Sequence, residues 1–191
     1  MTSPRIAIIL GSTRPGRRGE AVAQWVYDRA SKRDDAQFEI VDLRDYELPL
    51  LDEVNSPVAN RYQNDHTKTW AARIARFDGY LFVTPEYNRS TSGALKNAID
   101  YLYAEWNNKA AGFIGYGATA GGAHAIDHLR GMMAELQIAH VRAQVTFDVM
   151  TEWEDNLTTF TPRGHREDEL TRELDQLIRW SNAMRIARAG A

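Results

Sequence analysis

Three short stretches of the 191-residue chain hold the side chains whose types and spacing could do chemistry. The first lies in RIAIILGSTRPGRRGE, Arg5 to Glu20. It crowds two hydroxyls, Ser12 and Thr13, and three guanidiniums, Arg14, Arg17 and Arg18, into a turn punctuated by Gly11, Gly16 and Gly19. Such donors suit an anion, the more so where a helix begins and turns its unpaired N–H groups and positive dipole end toward the turn. GSTRPGRR has the GxxxxG spacing of a P-loop but places Arg17 and Arg18 where a lysine and a Mg²⁺-holding hydroxyl belong, which disfavours nucleoside triphosphate hydrolysis. Gly11 has no glycine two residues on, so the dinucleotide fingerprint is absent as well. What remains suits one terminal phosphate; the plain alternative is a β–α turn with surface arginines. The second stretch is PEYNRSTSG, Pro85 to Gly93, and the third GATAGG, Gly117 to Gly122.

Other constellations are weaker. His124 and His128 stand at i, i+4, as metal ligands can, but without the glutamate of a zincin between them, so a surface or loop-facing helix is the favoured reading. His66, His140 and His165 are isolated, and neither Ser12 nor Ser92 sits in the GxSxG elbow of a hydrolase. The absence of cysteine excludes disulfides, thiolate metal sites and cysteine nucleophiles.

The elements that must position these loops follow from periodicity. Ile6 to Leu10, Gly79 to Thr84 and Ala110 to Tyr116 are short, continuously apolar and stopped abruptly, as buried parallel strands are. Phe38, Ile40 and Val41 mark another strand running into Asp42 and Leu43, and Val141 to Phe147 a fifth. Helical spacing places Val22, Trp25, Val26 and Ala30 on one face, and likewise Leu95, Ala98, Ile99, Leu102 and Trp106, then Ile126, Leu129, Met133 and Leu136. Trp70, Ile74 and Phe77 support a further helix over Arg61 to Arg76. A last one opens with Glu167, Asp168 and Glu169 and closes with Arg185 and Arg188, charges that complement its dipole. Arg44 to Asn60 reads as a long loop whose Tyr46, Leu48, Leu50 and Leu51 suggest a packed cover or a subunit contact, and Asp148 to His165 as polar and irregular. Strands alternating with helices predict one three-layer α/β domain, residues 1–191, around an all-parallel sheet. Ligands then bind beyond the carboxyl ends of the strands, where all three chemical loops emerge.

Composition sets the outer bounds. With 43% hydrophobic and 26% charged residues the chain reads as an ordinary soluble globular protein, and a net charge of −3 without one-signed blocks argues against a general nucleic-acid binder. No signal peptide or membrane-length apolar run is apparent, so the cytoplasm is the default expectation and no membrane partner is expected.

Taken together, LGSTRPGRRGEAVA from Leu10, TPEYNRSTSGALKNAIDYL from Thr84 and GYGATAGGAHAIDHLR from Gly115 resemble the NAD(P)H-dependent FMN reductase family, which includes quinone, azo-dye and chromate reductases. PEYN followed by SGALKNAID is the most specific part. The resemblance implies a flavodoxin-like fold with a five-stranded parallel sheet of order 2-1-3-4-5. It assigns Ser12, Arg14, Arg17, Arg18, Gly19 and Glu20 to the FMN phosphate, and Pro85, Glu86, Tyr87 and Asn88 to the isoalloxazine and ribityl chain. Tyr116, Gly117, Thr119, Gly121 and Gly122 would line the opposite side of the flavin. The chain departs from the family near Gly19, where a serine or asparagine is common, and at Ser92, where proline is.

The implied activity is hydride transfer from NADPH or NADH to FMN, then electron transfer to FMN, a quinone or another small electrophile. That chemistry belongs to the cofactor, so the protein must stack two rings with reacting atoms roughly 3–3.5 Å apart and needs no catalytic acid–base dyad. A homodimer or a tetramer of dimers is expected, with Tyr46 to Leu51 and Leu95 to Trp106 offering apolar surface. Two alternatives are a flavodoxin-like electron carrier without nicotinamide chemistry and a nucleotide-binding regulatory module. The basic loop and modest net charge favour the enzyme over a carrier, which usually docks through a strongly one-signed surface.

Overall fold

In the computed structural model, strands β1 (Arg5–Leu10), β2 (Gln37–Asp42), β3 (Gly79–Pro85) and β4 (Ala110–Gly117) lie parallel in the order β2-β1-β3-β4. The structure describes residues 2–190; Met1 and Ala191, the ends of the expected domain, lie outside the described residues. Every residue of β3 and β4 is buried, as expected of strands covered on both faces. Alternation along the strands divides the core in two. Ala7, Ile9, Tyr80, Phe82 and Phe113 face helices α2 (Asp65–Ala75), α3 (Gly93–Asp100) and α4 (Ala123–Glu135). Ile6, Ile8, Leu10, Leu81, Val83 and Ile114 face α1 (Gly19–Ala30) and the C-terminal helix α5 (His165–Ala189). This is the three-layer, flavodoxin-like arrangement with order 2-1-3-4-5.

The fifth position of the sheet is not one strand. Val141 to Phe147 was expected there, but two pieces share it, β5 (Ala139–His140) and β6 (Val145–Asp148), both parallel to β4. The gap is patched by side chains from the flanking helices. Arg130 of α4 donates to the Val141 carbonyl at 2.6 Å and the Arg142 carbonyl at 3.2 Å, while Gln176 of α5 accepts the Ala143 N–H at 3.0 Å. Opposite the break, the Phe113 N–H has no strand partner and donates to Glu173 of α5. Glu173 is fully buried, and its burial raises its carboxyl well above the ordinary range, so it is held neutral.

Other boundaries differ locally. α2 starts at Asp65 rather than Arg61, and α3 ends at Asp100, leaving Leu102 and Trp106 in tight turns. Trp106 is nonetheless fully buried, its Nε1–H donating to the Ile99 carbonyl at 3.1 Å. The irregular stretch after β6 contains a small antiparallel pair, β7 (Trp153–Glu154) with β8 (Thr159–Phe160). Trp153 and Phe160 pack with Phe147 and Trp25 of α1, and buried Glu152 beside them takes a forked ion pair from Arg166 of α5. A run of three left-handed residues, Asp155, Asn156 and Leu157, forms the tip.

Glu173 generates a test. Below its ordinary pKa of 4.5 both the folded and unfolded states keep the proton; above it only the folded state does, so this group removes stability as pH rises toward its raised folded pKa. Glu173→Gln keeps an acceptor for Phe113 without the proton linkage. Its stability relative to wild type in urea unfolding should therefore grow steadily from pH 4.5 upward. Glu173→Ala should lose about 1–3 kcal/mol at pH 5 by stranding the Phe113 N–H.

Candidate functional site

All strands leave the sheet at one edge, and there the loops after β1, β3 and β4 meet. Between them lies a cleft of about 160 Å³ lined by Arg14, Gly16 and Arg18 on one side and Pro85, Tyr87 and Tyr116 on another. Its third wall includes Val149, from the segment that leads to β7. A larger cleft of about 350 Å³ lies on the β2 side, lined by Thr13, Leu43, Arg44, Glu47, Ala94 and Asn97. The Arg44 guanidinium lines that second space and donates to the Thr13 and Arg14 carbonyls, at 3.4 and 2.8 Å.

The three arginines of the first loop have different fates. Arg17 is folded inward, its side chain only 2% exposed, and its guanidinium binds the Asp42 carboxylate, Glu20 at 2.7 Å and the Ser12 carbonyl. Burial opposes its charge, but Asp42 and Glu20 outweigh that and hold its pKa above the ordinary value; Asp42 is correspondingly lowered. Glu20 also binds Arg44 at 3.0 Å. Arg17 also lines the cleft, while its pairs with Asp42 and Glu20 pin the loop to β2. Arg14 is exposed with its guanidinium unpaired among the described residues, and Arg18 lends only its Nε–H to the Leu157 carbonyl at 3.2 Å.

Below these two cations, α1 begins at Gly19 with no side-chain cap. A Cβ there would meet Tyr116 Oη and Leu10 Cδ1, each at 2.7 Å, so only glycine allows the strand-borne ring so close to the helix start. Tyr116 is 5% exposed and its hydroxyl, near Ser12 Oγ and the Gly19 N–H, has no well-formed hydrogen bond. Its burial pushes the phenol well above its ordinary range, so it is a standing O–H donor. Ser12, fully buried, lies 3.3 Å from Tyr87 Oη. An orphaned buried donor, an uncapped helix start, the unpaired Arg14 and the two open Arg18 amino groups together fit a phosphate group.

The second loop is a compact turn. Tyr87 and Ser90 exchange backbone hydrogen bonds of 2.8 and 3.0 Å across Asn88 and Arg89, both left-handed. Ser92 caps α3 by accepting the Leu95 N–H at 3.1 Å while donating to the Gly11 carbonyl, which ties the second loop to the first. Tyr87 and Asn88 are exposed at its rim. Glu86 is turned toward α4, where its carboxylate accepts the His124 backbone N–H at 3.1 Å and lies 2.9 Å from His124 Nδ1. In the third loop Thr119, Gly121 and Gly122 all have positive φ. Gly122, at φ 93°, would drive a Cβ within 2.5 Å of the Tyr116 backbone nitrogen, so the loop folds back directly onto β4. No group of three or more His, Asp or Glu side chains among the described residues could hold a metal.

Sequence reasoning missed Asp42, whose partner Arg17 lies 25 residues earlier, and Val149; neither belongs to a recognisable motif.

Arg17→Ala should cost about 2–3 kcal/mol in urea unfolding at neutral pH by leaving Asp42 without its buried cation, whereas Arg14→Ala should stay within about 0.5 kcal/mol. Because Asp42 is lowered below 3.8, the Arg17 contribution is complete above that value and should vanish as pH falls through the depressed pKa.

The model of a family described as NADPH-dependent FMN reductase matches residues 4–152. Among curated relatives, NAD(P)H-dependent FMN reductase ntnL of a Nectria species is 43% identical over 123 residues, 61% of this chain and 61% of that protein. NAD(P)H-dependent FMN reductase C4B3.06c of Schizosaccharomyces pombe is 38% identical over 135 residues, 69% of this chain and 68% of that protein. Among solved structures, the flavoenzyme NAD(P)H:(acceptor) oxidoreductase FerB of Paracoccus denitrificans superposes with a TM-score of 0.73 at 22% identity, covering 95% of this chain and 98% of that one.

Proposed function

From the premise that the chain belongs to the NADPH-dependent FMN reductase family, we propose that it is an FMN-dependent oxidoreductase that oxidises NADPH or NADH and reduces FMN, a quinone or another small electrophile. The observation that carries this reading is the orphaned Tyr116 hydroxyl above the uncapped start of α1, flanked by Arg14 and Arg18. Ser12, Arg14, Arg18, the Gly19 N–H and Tyr116 Oη hold the phosphate. Arg17, which also lines the cleft, and Glu20 keep that loop in shape. Pro85, Tyr87 and Asn88 flank the ring and ribityl chain from one side; Gly117, Thr119, Gly121 and Gly122 do so from the other, and Glu86 joins the two walls. Bound FMN supplies hydride acceptance and electron donation. The chain contributes a fixed stacking platform, backbone N–H donors toward the ring, and exclusion of water from the buried end of the cleft.

Two core layers on one sheet support reading residues 1–191 as one domain with one such site. No described helix is long and apolar enough to cross a membrane. A cytoplasmic location agrees with a supply of reduced nicotinamide nucleotides, and the partners are small molecules rather than nucleic acid. An electron carrier is the second reading. Anaerobic NADPH or NADH added to the FMN-loaded protein decides: rapid bleaching is expected, flavin that stays oxidised would leave the carrier, and failure to bind FMN would end both.

The phosphate assignment makes a separate demand. Charge-assisted hydrogen bonds are worth roughly 1.5–3 kcal/mol each, so FMN should bind at least about tenfold more tightly than riboflavin. Arg14→Ala and Arg18→Ala should weaken FMN several-fold and leave riboflavin unchanged in fluorescence titrations. Equal affinity of the unmodified protein for both flavins would refute the assignment.

The same reading includes self-association as a dimer, alone or paired into a tetramer. Tyr101 and Trp106 are fully buried core residues, while Tyr46 and Leu48 are half-buried against that core. Leu50, Val54 and Val58 are 84%, 85% and 65% exposed, and Val58 lines a groove between α3 and α4 with Ile99, Leu102, Tyr103 and Met132, flanked by Lys96, Asp100 and Glu135. A second copy covering this face would bury all of it. Sedimentation at micromolar concentration should show at least a dimer, and Leu50→Asp with Val58→Asp should shift it toward monomer; a wild-type monomer with FMN bound would exclude the interface.

A further inference from the structure

The histidines His124 and His128 have metal-ligand spacing, yet each turns its Nδ1 to the turn between β3 and α3. His124 Nδ1 lies 2.9 Å from Glu86 Oε1, and His128 Nδ1 lies 2.9 Å from Ser90 Oγ. The Glu86 carboxylate is 12% exposed and accepts at both oxygens, from the His124 ring and from the His124 backbone N–H at 3.1 Å. That backbone N–H is among the first of α4, where intrahelical partners are lacking and the dipole favours an anion. A carboxylate only accepts, so the His124 nitrogen facing it carries the proton. Glu86 itself starts from β3, its N–H donating to the Tyr116 carbonyl of β4 at 3.0 Å. One carboxylate thus joins the two loops that form opposite walls of the cleft, and one imidazole fixes that carboxylate.

We propose that His124 is a positioning residue for the flavin ring: through Glu86 it sets the separation of the two ring-facing walls, while His128 holds the far side of the turn through Ser90. This rests on the flavin reading given above. It concerns the ring end of the cleft first: the clasp contacts themselves stop at Glu86 and Ser90, and a link from that turn toward the phosphate end is Tyr87 Oη, 3.3 Å from Ser12 Oγ. His124 touches no reacting atom in this scheme. Its effect is transmitted by the placement of Tyr87 and Asn88 on one wall and Gly117 and Thr119 on the other. The pair also leaves the His124 Nδ1 unavailable to a metal.

Asparagine carries its side-chain N–H at nearly the position of histidine Nδ1, whereas glutamine reaches the Nε2 position, so the two substitutions separate the contact from mere bulk. His124→Ala and His124→Gln should each weaken FMN and riboflavin by the same factor, about fivefold to tenfold, which corresponds to about one charge-assisted hydrogen bond after partial compensation. They should also shift the visible absorption bands of bound flavin and its midpoint potential. His124→Asn should restore most of the affinity and the wild-type bands. Arg14→Ala, acting at the phosphate, should weaken FMN only, with the bands unmoved. Should His124→Ala not fold by circular dichroism, His124→Gln carries the same expectation. Unchanged riboflavin affinity and unchanged bands in a folded His124→Gln, or a His124→Asn as impaired as His124→Gln, would overturn the proposal while the flavin reading stands. A wild-type protein that binds neither flavin would instead overturn the reading on which it rests.

Discussion

A parallel ladder sends every strand out of the sheet at the same edge, and each exit must be followed by a turn that starts a helix. In this chain that constraint brings the loops after β1, β3 and β4 together without any of them needing affinity for another. What they do need is to be held in shape, because turns at strand ends have few apolar contacts of their own. The holding is done by charged side chains at element ends. Arg17 locks the first loop to β2 through Asp42, and Glu86 locks the second to the start of α4; Ser92 links the first two through the Gly11 carbonyl. Each of these groups is largely withdrawn from water, so each is strong where the same pair on the surface would contribute little.

The division of labour among the arginines follows from that. Three guanidiniums within five residues look equivalent as a pattern, but only one carboxylate pocket is available beneath them. Arg17 takes it, and its neighbours remain exposed or half-free at the mouth of the cleft. A cation that is already neutralised cannot add much attraction for an incoming anion; it can only keep the cradle in register. In the proposed reading the open cations and the unpartnered Tyr116 hydroxyl are the groups offered to the anion. Preorganisation and attraction are thus assigned to different residues of one short loop.

Much of this architecture was legible in the sequence, for reasons that also explain what was not. β1, β3 and β4 are buried on both faces, so their apolar runs are unbroken and end sharply at Gly11, Pro85 and Gly117. The meeting of their loops followed from that, while the strand order was what the family resemblance implied. The interruption of the fifth strand could not be read, because Val141 to Phe147 alternates like a strand and the groups that satisfy its broken backbone lie at Arg130, Glu173 and Gln176, far along the chain. β7 and β8 are two residues each, too short for any period, and exist because Trp153 and Phe160 find Trp25 and Phe147. The fate of Arg17 depended on Asp42 and that of the His124 ring on Glu86, partners 25 and 38 residues away. Motif spacing picked out the three loops that the fold brings together, and tertiary charge pairing decided which of their side chains are engaged and which stay open.

The break between β5 and β6 has a consequence outside the site. The last position of an open sheet normally presents a continuous row of unsatisfied N–H and C=O groups, the template on which a foreign strand can dock and from which aggregates grow. Here that row is only two residues long, then interrupted, then four residues long. In the interval the backbone is already engaged by a guanidinium and a carboxamide reaching in from helices on either side. A strand arriving at this margin would find at most four residues of regular register to add to. The irregularity that a simple pattern of five strands omits therefore guards this margin of the sheet, the one opposite β2, against strand addition.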